Sequence, residues 1–324
     1  MTPLDTVSDP HYPVMLPEVL SALSLKDGGV YVDGTFGAGG YSRAILESSS
    51  CKVYAIDRDD NARITAEGFK EEFGDRFNFL RGCFGDVKSL LNTVGVKMVD
   101  GFVIDVGVSS MQIDEAERGF SFRFDGPLDM RMDMKSGGET AADIVNTYSQ
   151  DDLANVIYEC GEERKSRHIA RKIVKMREER PFERTLELAD AIRSVIPRSP
   201  KDKIDPATRT FQALRIAVND ELGELDRALD ASEEILSEGG RMVVVSFHSL
   251  EDGRVKRFFK NKSNTQAKGS RHLPQSVNND VQPTFSLLSR KAIKPSDKEI
   301  SENARSRSAR MRAGVRCFVS EGGV

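Results

Sequence analysis

Between residues 30 and 105 the chain repeats one pattern: a short run of β-branched and aromatic residues, a turn of acids and glycines, then a helical stripe. Val30-Tyr31-Val32-Asp33 runs into Gly34-Thr35-Phe36-Gly37-Ala38-Gly39-Gly40, and a helix starts at Tyr41. Lys52 to Ile56 ends in Asp57 and leads to apolar residues at 62, 66, 69 and 73. Phe77 to Leu80 precedes Gly82-Cys83-Phe84-Gly85 and a face made by Val87, Leu90, Leu91 and Val94. Phe102-Val103-Ile104 then stops at Asp105. Runs too short for helices, apolar on both faces and separated by 3.6-period stripes, are the pattern of a parallel sheet with crossover helices. The fold class expected is therefore α/β, a doubly wound, Rossmann-like sheet. Ligands of such sheets bind outside the carboxyl ends of the strands. Asp33, Asp57, Phe84 and Asp105 all stand at such ends.

The glycine loop narrows the choice of ligand. A dinucleotide fingerprint needs G-x-G-x-x-G, but counting from Gly37 the sixth position is Ser42. Asp33, just before the loop, would repel a pyrophosphate and suits a cationic ligand. Asp57 lies 24 residues beyond Asp33, where an acid can take both hydroxyls of a ribose. S-adenosylmethionine offers a ribose, an ammonium and a sulfonium, and carries no phosphate. Glycine loops also serve as simple tight turns, and on residue type alone Phe84 is equally a core side chain.

After Asp105 the alternation stops. No helical pattern follows directly; Phe120, Phe122 and Phe124 alternate with polar residues ahead of Gly126-Pro127 and a Met/Arg/Asp run. Long irregular stretches in compact domains are usually functional. The three phenylalanines either stack on a flat base or anchor the loop. Helices are expected from Leu153 to Cys160 behind a Ser149-x-x-Asp152 cap, from Glu162 to Arg180, and from Thr185 to Ile196 before Pro197. The middle one carries Arg164, Arg167, Arg171 and Lys175 on one side, either a phosphate-binding face or a solvated one. Asp205-Pro206 opens a single long helix with Phe211, Leu214, Val218, Leu222, Leu225 and Leu229 in its stripe, ended by Gly239-Gly240. Met242 to Val245 returns to the sheet, leaving His248 at a strand's carboxyl end. Residues 261–280 read as a polar loop. Phe285 to Ile293 and Ser308 to Cys317 read as two last strands. The link between them carries Arg305, Arg307, Arg310 and Arg312, a phosphate contact or a solvated turn. The pattern divides the chain into a discontinuous catalytic domain, 1–113 with 205–324, and an all-helical insertion, 114–204.

Net charge is −4, which alone does not suggest nucleic acid. No apolar run reaches the roughly 18 residues of a membrane span. The acidic N-terminal stretch lacks the basic and apolar regions of a signal peptide. The four cysteines form no C-x-x-C pair, so neither a metal site nor a disulfide framework is expected, and a cytoplasmic location fits.

Several segments together resemble the RsmH (MraW) family of bacterial small-subunit ribosomal RNA (cytosine-N4)-methyltransferases. They are HYPVMLPEVL, YVDGTFGAGGYSRAIL, AIDRD, DVGVSSMQIDEAERGFSFRFDGPLDMRMD, GEERKSRHIARKIV, ATRTFQALRIAVNDEL, GGRMVVVSFHSLED and ENARSRSARMR, spanning nearly the whole chain. The AERGFSF…DGPLDMRMD block and SFHSLED are the most specific. The resemblance implies methyl transfer from S-adenosylmethionine to the exocyclic N4 of a cytidine in 16S rRNA, with the small ribosomal subunit as partner. It implies donor contacts at Gly39, Gly40, Tyr41, Asp57, Phe84, Asp105 and Gln112. Asp105 and His248 are the candidate proton acceptors. The family's loop usually ends Gly-Gly-His, and this chain has Tyr41 there. The D-V-G-V turn after the fourth strand also differs from the (Asp/Asn/Ser)-Pro-Pro-aromatic turn of DNA amino-methyltransferases. Alternatives are a DNA or small-molecule amino-methyltransferase, a dinucleotide-dependent oxidoreductase, and a non-catalytic RNA-binding protein. Oligomeric state is open, a homodimer included.

Overall fold

The computed structural model describes residues 13–135, 137–196, 204–263 and 282–318. The chain forms two compact units, Met1–Val106 with Glu224–Val324, and Gly107–Gly223.

The first unit follows the alternation read from the sequence. Helix α1 (Leu16–Leu23) precedes β1 (Val30–Asp33), α2 (Gly40–Ser48), β2 (Lys52–Asp57), α3 (Asp60–Phe73), β3 (Phe77–Arg81), α4 (Val87–Thr93) and β4 (Val99–Asp105). Asp59 caps α3 by accepting from the Asn61 N–H, and Gly74 ends it at φ 57°. After the second unit come α11 (Glu221–Ile235), β5 (Leu236–Ser246), α12 (Ser249–Lys262), β6 (Phe285–Leu287), α13 (Asp297–Glu302) and β7 (Arg310–Arg316). The seven strands are ordered β3-β2-β1-β4-β5-β7-β6. The first five are parallel, and β7 runs antiparallel to both β5 and β6. Strand order reverses between β1 and β4, the switch point at which open α/β sheets bind ligands. Apolar layers cover both faces. One holds Tyr31, Ile45, Val53, Phe69, Phe77 and Val103; the other Val32, Ile56, Phe102, Ile104, Leu225 and Val244.

The last part of this unit is less regular than expected. Strand β6 is three residues long, and Ile293 adds only an isolated bridge to Met311. β5 pairs with β4 at Leu236, breaks at the glycines, and resumes at Arg241. The preceding helix therefore ends at Ile235, ahead of Gly239-Gly240.

The second unit contains α5 (Ser110–Asp114), α6 (Ala141–Thr147), α7 (Gln150–Gly161), α8 (Ser166–Arg177), α9 (Thr185–Val195) and α10 (Thr208–Asn219). Its core gathers Leu128, Met130, Ile144, Leu153, Ile157, Ile169, Ile173, Leu188, Ile192, Phe211 and Leu214. Ser149 caps α7 as read from the sequence. This unit is larger than the 114–204 insertion expected, because α10 contributes Phe211 and Leu214 to its core. The single helix expected from Asp205 to Leu229 is two. Asp220 between them adopts φ 48°, a left-handed conformation that Asp tolerates better than most residues. Asp205 and Pro206 lie ahead of α10 rather than at its cap, and the Asp205 carboxylate accepts from the Ala207 N–H. Helix α8 starts at Ser166, since Glu162, at φ 51°, closes α7. Pro197 and residues 264–280 fall outside the described residues.

Candidate active site

The carboxyl ends of β1, β2 and β4 carry the sequence-derived acids in the first unit, and the end of β5 adds His248 and Glu251. Strand β1 delivers Asp33, which is fully buried. Its Oδ2 accepts from Ser42 Oγ at 2.7 Å and its Oδ1 from the Thr35 N–H at 3.2 Å. Thr35 in turn accepts the Asp105 N–H on Oγ1 at 2.8 Å, tying the end of β4 to the loop after β1. Burial pushes the Asp33 carboxyl up to about 6, against the pull of its two donors. Burial, with Asp33 and Glu251 as like-charged neighbours, raises the Asp105 carboxyl well above the ordinary range. Asp105 Oδ1 is buried and has no hydrogen-bond partner among the described residues. An orphaned buried carboxylate oxygen among other acids is costly unless a cation or donor arrives.

Asp57, at the end of β2, organises the glycine loop. Its Oδ2 accepts from the Gly37 N–H at 2.7 Å and its Oδ1 from the Asp59 N–H at 2.8 Å. A carboxylate has about four acceptor positions, so both oxygens keep a lone pair for a ribose diol. Burial raises this carboxyl too, and the two N–H donors hold it back. Phe84 is half-buried in the short 3-10 turn after β3, with its Cβ against Gly34.

The loop glycines divide by role. Gly37, at φ +51°, faces open space. A Cβ on Gly39 (φ +82°) would lie 2.4 Å from the Phe69 ring, and one on Gly40 would lie 2.3 Å from Pro13. Gly39 and Gly40 are thus required by the protein's own packing, where the sequence suggested only close approach of a ligand. Tyr41 is buried, and its hydroxyl donates to the Val14 carbonyl. Its side chain belongs to the core, and only its backbone is left for a ligand.

His248 stands at the end of β5 as the N-cap of α12. Its Nδ1 accepts from the Glu251 N–H at 3.5 Å, and its Nε2 lies 2.7 Å from Glu251 Oε1 without the alignment of a hydrogen bond. The Glu251 carboxylate is fully buried, and its Oε2 accepts from the N–H groups of Phe247 and His248. Sequence reasoning passed over Glu251. The signal was a residue three beyond the cap, in the capping-box position.

Gln112 belongs to the second unit. Its Oε1 accepts from the Ser109 N–H at 3.0 Å while its own N–H donates to Ser109 Oγ, a capping box that opens α5. The stretch expected to lack a helix therefore has a short one. Of the three alternating phenylalanines, Phe120 lies in the second core, Phe122 packs edge-on against Phe211 at 4.7 Å, and Phe124 is exposed under Arg123. Two of the three are anchors. Arg312, from the arginine-rich link, holds Asp252 through Nε at 2.7 Å and Nη2 at 3.2 Å, which removes it from the proposed phosphate contact.

The model of the MraW methylase family matches residues 8–316. The chain belongs to the MraW methylase family. Three curated relatives are each named ribosomal RNA small subunit methyltransferase H. That of Rhodospirillum rubrum is 57% identical over 307 residues, 94% of this chain and 93% of the relative. That of Paramagnetospirillum magneticum is 57% identical, covering 95% and 96%. That of Parvibaculum lavamentivorans is 53% identical over 311 residues, covering 95% and 90%. In this MraW methylase the strand-end acids are electrostatic neighbours in the sheet unit, Asp33 fully buried and Asp57 and Asp105 half-buried. Among the described residues no helix is long and apolar enough to cross a membrane.

Proposed function

We propose that the chain transfers a methyl group from S-adenosylmethionine to the exocyclic N4 of a cytidine in small-subunit ribosomal RNA. The observation that carries the donor assignment is the acid group around the unpartnered Asp105 Oδ1, which suits a cationic, phosphate-free ligand. The names of the close relatives support the acceptor. When bound, S-adenosylmethionine supplies an electrophilic methyl group. Asp57 would hold the ribose hydroxyls, Phe84 would lie against the adenine, and Gly39, Gly40 and Tyr41 would line the loop through their backbone. Asp33 and Asp105 would balance the positive charge, and Gln112 would keep the segment after β4 in its helical turn.

The amino nitrogen of cytosine is a poor nucleophile because its lone pair is delocalised into the ring. Alignment of the two reactants is the larger task, and good alignment can contribute roughly 7–11 kcal/mol. As the N–C bond forms and the C–S bond breaks, N4 must lose a proton. Asp105 takes it in this reading: an unpartnered oxygen with a raised pKa is a stronger base than an ordinary carboxylate. His248, the other candidate, is engaged with Glu251 and acts by positioning. The target base has to leave any stack to be reached.

The test is incubation with labelled donor and small subunits lacking the modification, followed by digestion and mass spectrometry of the nucleosides. N4-methylcytidine is expected. Donor binding without label in RNA would redirect the search to DNA or small-molecule amines.

A further inference from the structure

We infer that the exposed face of α8 is a docking surface for the phosphodiester backbone of the substrate RNA. The inference rests on the RNA-methylating function proposed above and deepens it.

Helix α8 reads Ser166-Arg-His-Ile-Ala-Arg-Lys-Ile-Val-Lys-Met-Arg177 and contains no acid. Ile169, Ala170 and Ile173 are buried and fix the helix on its core, which turns the charged side outward. Arg164, Lys165, Arg167, His168, Arg171 and Lys175 are exposed, with Lys172 half-buried beside them. Positions 167, 168, 171 and 175 are three or four apart and share one stripe, with Arg164 and Lys165 in the turn just ahead of the helix.

None of these side chains makes an ion pair or hydrogen bond among the described residues. The contrast with the rest of the unit is sharp. Arg131 holds Asp129, Arg184 holds Asp125, Arg193 holds Asp190 and Asp205, and Arg215 holds Glu221. Arg177, at the end of α8 but off this stripe, donates to the carbonyls of Val145 and Tyr148. The chain as a whole has more acids than bases, 51 against 47, so partners for these cations are not scarce. Like charges at i,i+4, as at Arg167–Arg171 and Arg171–Lys175, oppose the helix. Among the described residues no acid pairs with these side chains to offset that repulsion, and a line of phosphates would. Guanidinium groups bind phosphate oxygens bidentately, and each contact releases condensed counterions.

The experiment compares the full-length wild type with an Arg167→Ala/Arg171→Ala/Lys175→Ala variant and an Arg167→Lys/Arg171→Lys variant. Binding to unmodified small subunits is followed across a salt series, alongside donor affinity and methylation. Alanine is an excellent helix former, and unchanged donor affinity would report an intact sheet unit. The alanine variant should bind subunits more weakly, with the slope of log K against log salt shallower by about three. Its KM for subunits should rise while donor affinity stays put, and the lysine variant should keep most of the binding. Equal affinity and slope in wild type and alanine variant, with methylation intact, would show the face to be merely solvated and overturn the inference. A lower affinity with an unchanged slope would also overturn it, pointing to a protein contact. Loss of methylation by the wild type itself would sink the proposed function and this inference with it.

Discussion

Asp33 and Asp105 give the site a pH signature. A carboxyl raised in the folded state favours the protonated form, so its contribution to stability is complete below the unfolded value and is lost as pH rises through the folded one. For Asp33 that window runs from 3.8 to about 6. A rise of about two units corresponds to roughly 3 kcal/mol at most. The ligand-free protein should lose stability across this window, and Asp33→Asn should flatten the loss in thermal melts. A cationic donor prefers the ionised acids, so its affinity should rise with pH through about 6 as Asp33 ionises, and go on rising where the more strongly raised Asp105 follows, in calorimetric titrations. A pH-independent affinity would contradict the charge-balancing role. Asp57→Ala should weaken donor binding roughly ten- to hundredfold, the worth of hydrogen bonds to a charged group. Asp105→Asn should lower turnover at saturating donor by about 10²–10⁴-fold, as expected for loss of a general base; wild-type turnover in that variant would remove the assignment. Asp57 and Asp105 were legible because a strand followed by an acid has only one location in this kind of sheet. Tyr41 was not. Its hydroxyl meets Val14, a partner 27 positions away that no local pattern announces. Gln112 carries a role that the resemblance did not bring out: with Ser109 it forms the capping box that opens α5, chemistry already visible in the Ser109-x-x-Gln112 spacing.

The helices were mostly visible in the period of their apolar residues, and their breaks were not. Phe211, Leu214 and Val218 continue smoothly into Leu222, Leu225 and Leu229, yet Phe211 and Leu214 lie in one core and Leu225 and Leu229 in another. Period reports that a face is buried, not against what. Asn219, just before the break, is buried. Its Oδ1 accepts from the Met132 N–H, and its amide donates to the carbonyls of Met130 and Arg215. Asn219→Ala would leave buried backbone groups unpaired and should destabilise the helical unit by about 2–4 kcal/mol, at about 1–3 kcal/mol for each orphaned group. Denaturant unfolding followed in the far-UV would measure it. Gly40→Ala should also destabilise, through Pro13, and weaken donor binding as the loop shifts; an unchanged melt would mean the 13–15 segment gives way freely.

The sheet unit is built from two stretches of chain, and the helical unit from one. The continuous stretch Gly107–Gly223 has a core of its own, so a fragment limited to it should be helical and melt cooperatively. A broad, featureless melt would mean that this core is insufficient alone. The strand order has a consequence for biosynthesis. Residues 310–316 form the seam between β5 and β6, and among the described residues β6 pairs with no other strand. A chain emerging from the ribosome therefore displays β5 with one row of amides and carbonyls open until those residues follow. Open edges are where chains join one another by mistake. Translation interrupted before Met311 would yield a sticky product with a finished helical unit and an unzipped sheet, rather than a slightly shorter enzyme.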